Sequence, residues 1–97
     1  MDRDLTETEK RLFLVLSLIF EKIVEGEASF EMGYFRWNQM KAELFKNMGI
    51  SDEYWAFLAE KGDQSQDLCE RLDKLRNKYE NVPTEQILRD LKVLQFT

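Results

Sequence analysis

Side chains able to do chemistry are few in this chain. Histidine is absent, so the single cysteine, Cys69, has no imidazole to take up its proton. Set beside Leu68 on a helix-forming stretch, it reads as a packing residue. Acidic pairs are the other candidates. Glu70-Arg71-Leu72-Asp73 places two carboxylates three residues apart, on one helix face, a spacing that can hold a divalent cation if a facing helix supplies more oxygens. Glu21 and Glu25 lie four apart and no adjacent glutamate pair accompanies them. Glu70 and Asp73 suit salt bridges to Lys74 and Lys78 equally well, and that reading is preferred. The four glycines are isolated, so no loop is rich enough in them to cradle a phosphate.

The Glu70–Asp73 spacing is similar to half of the metal-binding pattern of the all-helical nucleotide pyrophosphohydrolases. That resemblance implies an all-α, divalent-metal nucleotide phosphohydrolase, with the second half of the pattern missing here. A second resemblance covers about twenty residues. From Phe45 to Leu58, the Gly49-Ile50-Ser51 junction between two short helices resembles the turn of a helix-turn-helix. It implies a DNA-associated regulator using residues 34–61. Bulky Phe45 stands where that motif needs a small side chain, and the would-be reading helix opens on Asp52-Glu53 with no basic residue before Lys61. A net charge of −5 also opposes attraction to phosphate. Nucleic acid is a disfavoured partner.

Ninety-seven residues suffice for one domain with a core of its own, and 43% hydrophobic with 34% charged residues is a globular mixture. A single helical domain over residues 1–97 is expected. One cysteine excludes an intrachain disulfide and leaves a reducing compartment as the default. The apolar run Leu12–Phe20 is shorter than the roughly 17 to 25 residues that span a bilayer. Acidic residues precede it and Glu21-Lys22 follows, unlike a secretory signal. These features predict a cytoplasmic protein that keeps its N-terminus and has no membrane segment and no cofactor.

The elements that position these side chains read as helices throughout. Thr6-Glu7-Thr8-Glu9 forms a capping box, and the first helix should run to Glu25 with Gly26 as its stop. On its wheel Leu12, Leu16, Ile19 and Ile23 make one stripe, and Phe13, Phe20 and Val24 a second. Leu14 and Leu18 occupy a third face with Arg11, Glu21 and Glu25. Residues 27–33, between Gly26 and Gly33, read as a loop or short turn that Ser29 can cap. A second helix covers 34–48 on a stripe of Tyr34, Trp37, Leu44, Phe45 and Met48, capped by Gly49, with Phe35 off the stripe. Ser51 opens a third helix that Gly62 ends. Asp63 or Ser65 starts a fourth, with a narrow seam of Leu68, Leu72, Leu75 and Tyr79. After Pro83, Asn81 or Thr84 can cap a last helix whose face is Ile87, Leu88, Leu91 and Leu94. β-branched residues are sparse and no alternating stretch appears, so strands are not expected.

The expected architecture is a compact all-α bundle of four to five helices, with the first central and strongly apolar. The expected function is that of a non-enzymatic interaction or regulatory protein. Leu14, Val15 and Leu18 would meet their counterparts in a homodimer. Eight of the twelve aromatics fall between Phe30 and Phe57, which nominates Phe35, Trp37 and Trp55 for contact with another protein. The acidic group Glu21, Glu25, Glu27 and Glu31 reads as a solvated helix end.

Overall fold

Four hydroxyl side chains start the four long helices. In the computed structural model, which describes residues 3–83 with Gln86, Ile87 and Arg89, Thr6, Ser29, Ser51 and Ser65 each accept from the amide three residues on, at 3.1–3.2 Å. The helices are α1 (Glu7–Glu25), α2 (Phe30–Met48), α3 (Asp52–Asp63) and α4 (Gln66–Lys78). Each carries acid in its first turn and base in its last, the signs that the helix dipole favours. No strand occurs among the described residues, and the all-α class holds.

Among the described residues, α1 touches each of the other three helices, α3 and α4 touch one another, and α2 comes backbone to backbone with α1 alone. The shared core takes Leu12, Phe13, Leu16, Ile19 and Ile23 from α1, Trp37 and Phe45 from α2, Leu58 from α3 and Leu68 and Leu72 from α4. Tyr79 and Ile87 close it, both buried. Burying each such aliphatic contributes about 1.5–3 kcal/mol relative to leaving it in water. The last predicted helix falls largely outside the described residues.

Two glycines expected to break helices lie inside them. Gly33 sits in the first turn of α2, where an added Cβ would come 2.7 Å from the Val24 Cα. Of the expectations for 27–33, the Ser29 cap holds and a loop running on to Gly33 does not: Ser29 opens α2, and α1 and α2 approach closely at Gly33. Gly62 belongs to α3, and a Cβ there would lie 2.2 Å from the Phe13 ring. Both lack a side chain because a neighbour occupies its place. Gly49 behaves as expected and caps α2 at φ 68°, in the left-handed region that favours glycine.

Candidate functional site

The first two turns of α2 hold the most exposed large apolar side chains among the described residues. Phe30 is 63% exposed, Met32 55%, Tyr34 47% and Phe35 64%. The segment Phe30-Glu31-Met32-Gly33-Tyr34-Phe35-Arg36-Trp37 is apolar on every side of the wheel, a pattern that normally means a helix covered all round. Only Gly33 and Trp37 of it are buried. Tyr34 was expected on the core stripe and proves half-exposed, since α1 ends at Glu25 and meets this end of α2 through Val24 at Gly33 and the Phe20 ring at Tyr34.

The exposed end joins the core through a row of rings. Phe30 stacks on Tyr34 at 6.0 Å, Tyr34 meets Phe20 edge-on at 6.3 Å, and Phe20 meets Trp37 at 5.4 Å. Trp37 continues to Phe45 at 6.2 Å, Phe45 to Trp55 at 6.1 Å and Trp55 to Phe13 at 6.4 Å. Such offset and edge-to-face pairs add about 0.5–1.5 kcal/mol each beyond their buried area, so the row holds the exposed rings to a fixed scaffold. On the other side of α2, Met32 and Phe35 floor an open groove edged by Glu27, Glu31, Arg36 and Gln39. Arg36 donates to Glu27 across its lip at 3.0 Å.

The residues nominated from sequence separate here. Phe35 faces water. Trp37 is buried and Trp55 half-buried, both as members of the ring row. Leu14 and Leu18 are buried and Val15 is partly buried within the one chain, so they leave no uncovered apolar face on α1. Their third face has neighbours because α1 touches three helices at once. Phe30, Met32 and Tyr34 are exposed beside Phe35 and are not among the residues nominated from sequence. A second helix that starts at Tyr34 leaves Phe30 and Met32 off its wheel.

The acidic groups are tied into the fold. Glu21 receives Arg76 of α4 through two guanidinium nitrogens, Nε at 2.8 Å, and this pairing raises the Arg76 pKa further. Arg76 also pairs with Asp73. Glu25 binds Lys22 at 3.4 Å, and Glu70 accepts from Gln66 at 3.4 Å. Asp73 and Glu70 thus have partners other than the Lys74 and Lys78 expected for them. Cys69 is exposed rather than packed, its thiol 3.9 Å from the Asp63 carbonyl.

Glu9 is 6% exposed and serves the fold at several points. Arg3 donates to both its oxygens at 2.6 and 2.7 Å, the Thr6 amide donates at 3.0 Å and the Tyr54 hydroxyl at 2.5 Å. The Arg3 guanidinium, helped by the Thr6 and Tyr54 donors, holds the Glu9 carboxyl far below the usual carboxylate range against the opposing effect of burial. Glu9 in turn raises the Tyr54 pKa, with burial adding to it. Arg3 also lies 5.1 Å over the Phe57 ring. All four donors serve one acceptor, and the group fastens the N-terminal segment to α3.

At the α2–α3 junction, Ser51 caps α3 and Asp52-Glu53 stand exposed at its start. Apart from the Phe45–Trp55 rings and a 3.5 Å Lys41–Asp52 pair, α2 and α3 pack on α1 rather than on each other. Among the described residues, no group of three or more Cys, Asp or Glu side chains is placed to hold a metal ion, and no helix is long and apolar enough to cross a membrane. Comparison with protein families, characterised proteins and solved structures finds no match for this chain.

Proposed function

We propose that this chain is a non-enzymatic interaction protein that presents a helical surface to another protein. Helix α1 serves as its central support and the first half of α2 as the contact surface. The observation that carries this reading is the exposure of Phe30, Met32, Tyr34 and Phe35 together on one rigid helix. Phe30 and Tyr34 on one side of this end of α2, and Met32 and Phe35 on the other, leave large apolar side chains in water, and clustered exposure of this kind often marks an interaction site. Their anchoring through Trp37 and Phe20 favours recognition, because a preorganised aromatic loses little freedom on binding.

Site-specific photo-crosslinking tests the proposal. Benzoyl-phenylalanine placed at Phe35 keeps an aromatic there, and the same group placed at exposed Glu70 of α4 is the control. In cells producing the protein, discrete protein adducts are expected from position 35 and not from position 70. Equal labelling at both positions would remove α2 as the contact surface.

A further inference from the structure

Resting on that reading of α2, we infer that the partner is a second copy of this chain, seated on the outer face of α2 with the two helices antiparallel about Gln39. The face directly opposite α1 is Met32, Phe35, Gln39, Ala42 and Lys46, every one exposed and spaced 3-4-3-4, as along a coiled-coil seam. Among the described residues α2 comes backbone to backbone with no helix but α1, and the exposed seam runs roughly 21 Å from Met32 to Lys46.

The seam is self-complementary when reversed. An antiparallel pair centred near residue 39 sets residues against each other whose numbers sum to about 78, one residue being a shift of only about 1.5 Å. Phe35 then falls on the partner's Ala42, a large side chain into the space left by a small one. Met32 falls along the aliphatic stem of the partner's Lys46, with Glu31 within reach of its ammonium. Gln39 meets the partner's Gln39 on the axis, where two amides can exchange hydrogen bonds. Arg36 and Glu43, seven residues apart, share one flank of the seam, and like flanks face each other in an antiparallel pair. Arg36 therefore faces the partner's Glu43. Two-fold symmetry makes that pair twice, and Glu43 and Lys46 have no ion pair of their own among the described residues. A parallel pair would instead stack Phe35 on Phe35 and Arg36 on Arg36. The contact is one helix wide, which places it among small interfaces with micromolar dissociation constants.

Sedimentation equilibrium of the full chain from about 5 μM to 1 mM, the range that brackets such a constant, tests the inference. The expected result is a reversible monomer–dimer equilibrium. Arg36→Glu and Glu43→Arg should each weaken it about fivefold to tenfold, and the double variant should recover part of the loss, since the charges across the axis are exchanged while the pair with Glu27 is not restored. Phe35→Glu should abolish it with the helical circular-dichroism signal unchanged. A dimer indifferent to Phe35→Glu and to both charge reversals would overturn the proposal by placing the contact elsewhere. A wild-type monomer at every concentration would also overturn it. If that monomer binds bis-ANS and loses the binding in Phe35→Glu, the apolar surface of α2 stands and its partner is a different protein; if the dye signal is the same in both, the surface reading fails too.

Discussion

Residues 12–20 of α1 and 30–37 of α2 are each apolar around most of the helix, yet one is covered and the other is not. The first reads as the stickier of the two, with Leu14 and Leu18 on a face beyond what a two-striped helix needs. In the fold it has three neighbours and leaves neither leucine exposed. The second interleaves Glu31 and Arg36 with its rings, and it has α1 on one side only. Exposure therefore follows the number of neighbouring helices, and apolar content alone does not predict it.

The largest way to break this comparison is to cut into α1. Leu18 is 0% exposed, and Leu18→Ala should cost about 2–5 kcal/mol, a large part of the stability of a small domain. Urea unfolding followed by circular dichroism checks it. Leu14→Glu combined with Leu18→Glu should fail to fold, whereas a folded monomer from that pair would mean the leucines stand on a free face after all.

Gly62→Ala should come next. Its new methyl would enter the Phe13 ring, and overpacking of this kind costs about 1–3 kcal/mol, or a fall in melting temperature on the order of 5–20 °C at this size. Phe13→Leu in the same chain should return part of the loss, because it clears the space the methyl needs. A double-mutant cycle with no coupling between positions 13 and 62 would contradict the close approach.

Helix class, the Thr6 and Ser51 caps and the acidic start of α3 are legible in the sequence because each is a local matter of a few residues. Gly33 and Gly62 are not, because a glycine that ends a helix and one that admits a neighbour look alike until the neighbour is known. The same limit hides the site. Phe35 is legible as lying off the core stripe, but Phe30 and Met32 become surface residues only once Ser29, and not a later residue, starts α2. Trp37 and Trp55 are ambiguous in the sequence for the converse reason: large aromatics are frequent at contact surfaces and in cores alike, and only packing shows that Trp37 is buried and Trp55 partly so.

A smaller effect distinguishes the N-terminal fastening from both regions. Because Arg3 and its fellow donors hold the Glu9 carboxyl below its unfolded value, the stability it contributes is fully present above the unfolded pKa of about 4.3 and is lost as pH falls through the lower folded value. Glu9→Gln keeps the shape and removes the titration. Its urea midpoint should lie below that of the wild type at pH 7, and the gap should narrow steadily from about pH 4 downward, where Glu9 of the unfolded wild type takes up a proton that the folded chain does not. A gap that stays constant to pH 2 would show that the carboxylate charge is not what Arg3 and Tyr54 hold.

The smallest expected effect sharpens the comparison most. Phe35→Ala removes a ring that is 64% exposed and has only the open groove beside it, so monomer stability should change by no more than about 0.5 kcal/mol. Its effect on association should be large, because the same ring would fill the space over the partner's Ala42. Urea unfolding at low micromolar concentration, where the monomer prevails, measures the first quantity, and the concentration dependence of the unfolding midpoint measures the second. In the wild type the midpoint should rise with protein concentration, and in Phe35→Ala it should stay flat. Should the variant instead lose 2 kcal/mol or more as a monomer, a loss on the scale of buried aromatic truncation, Phe35 would belong with Leu18 as a core residue, and the two regions would no longer differ.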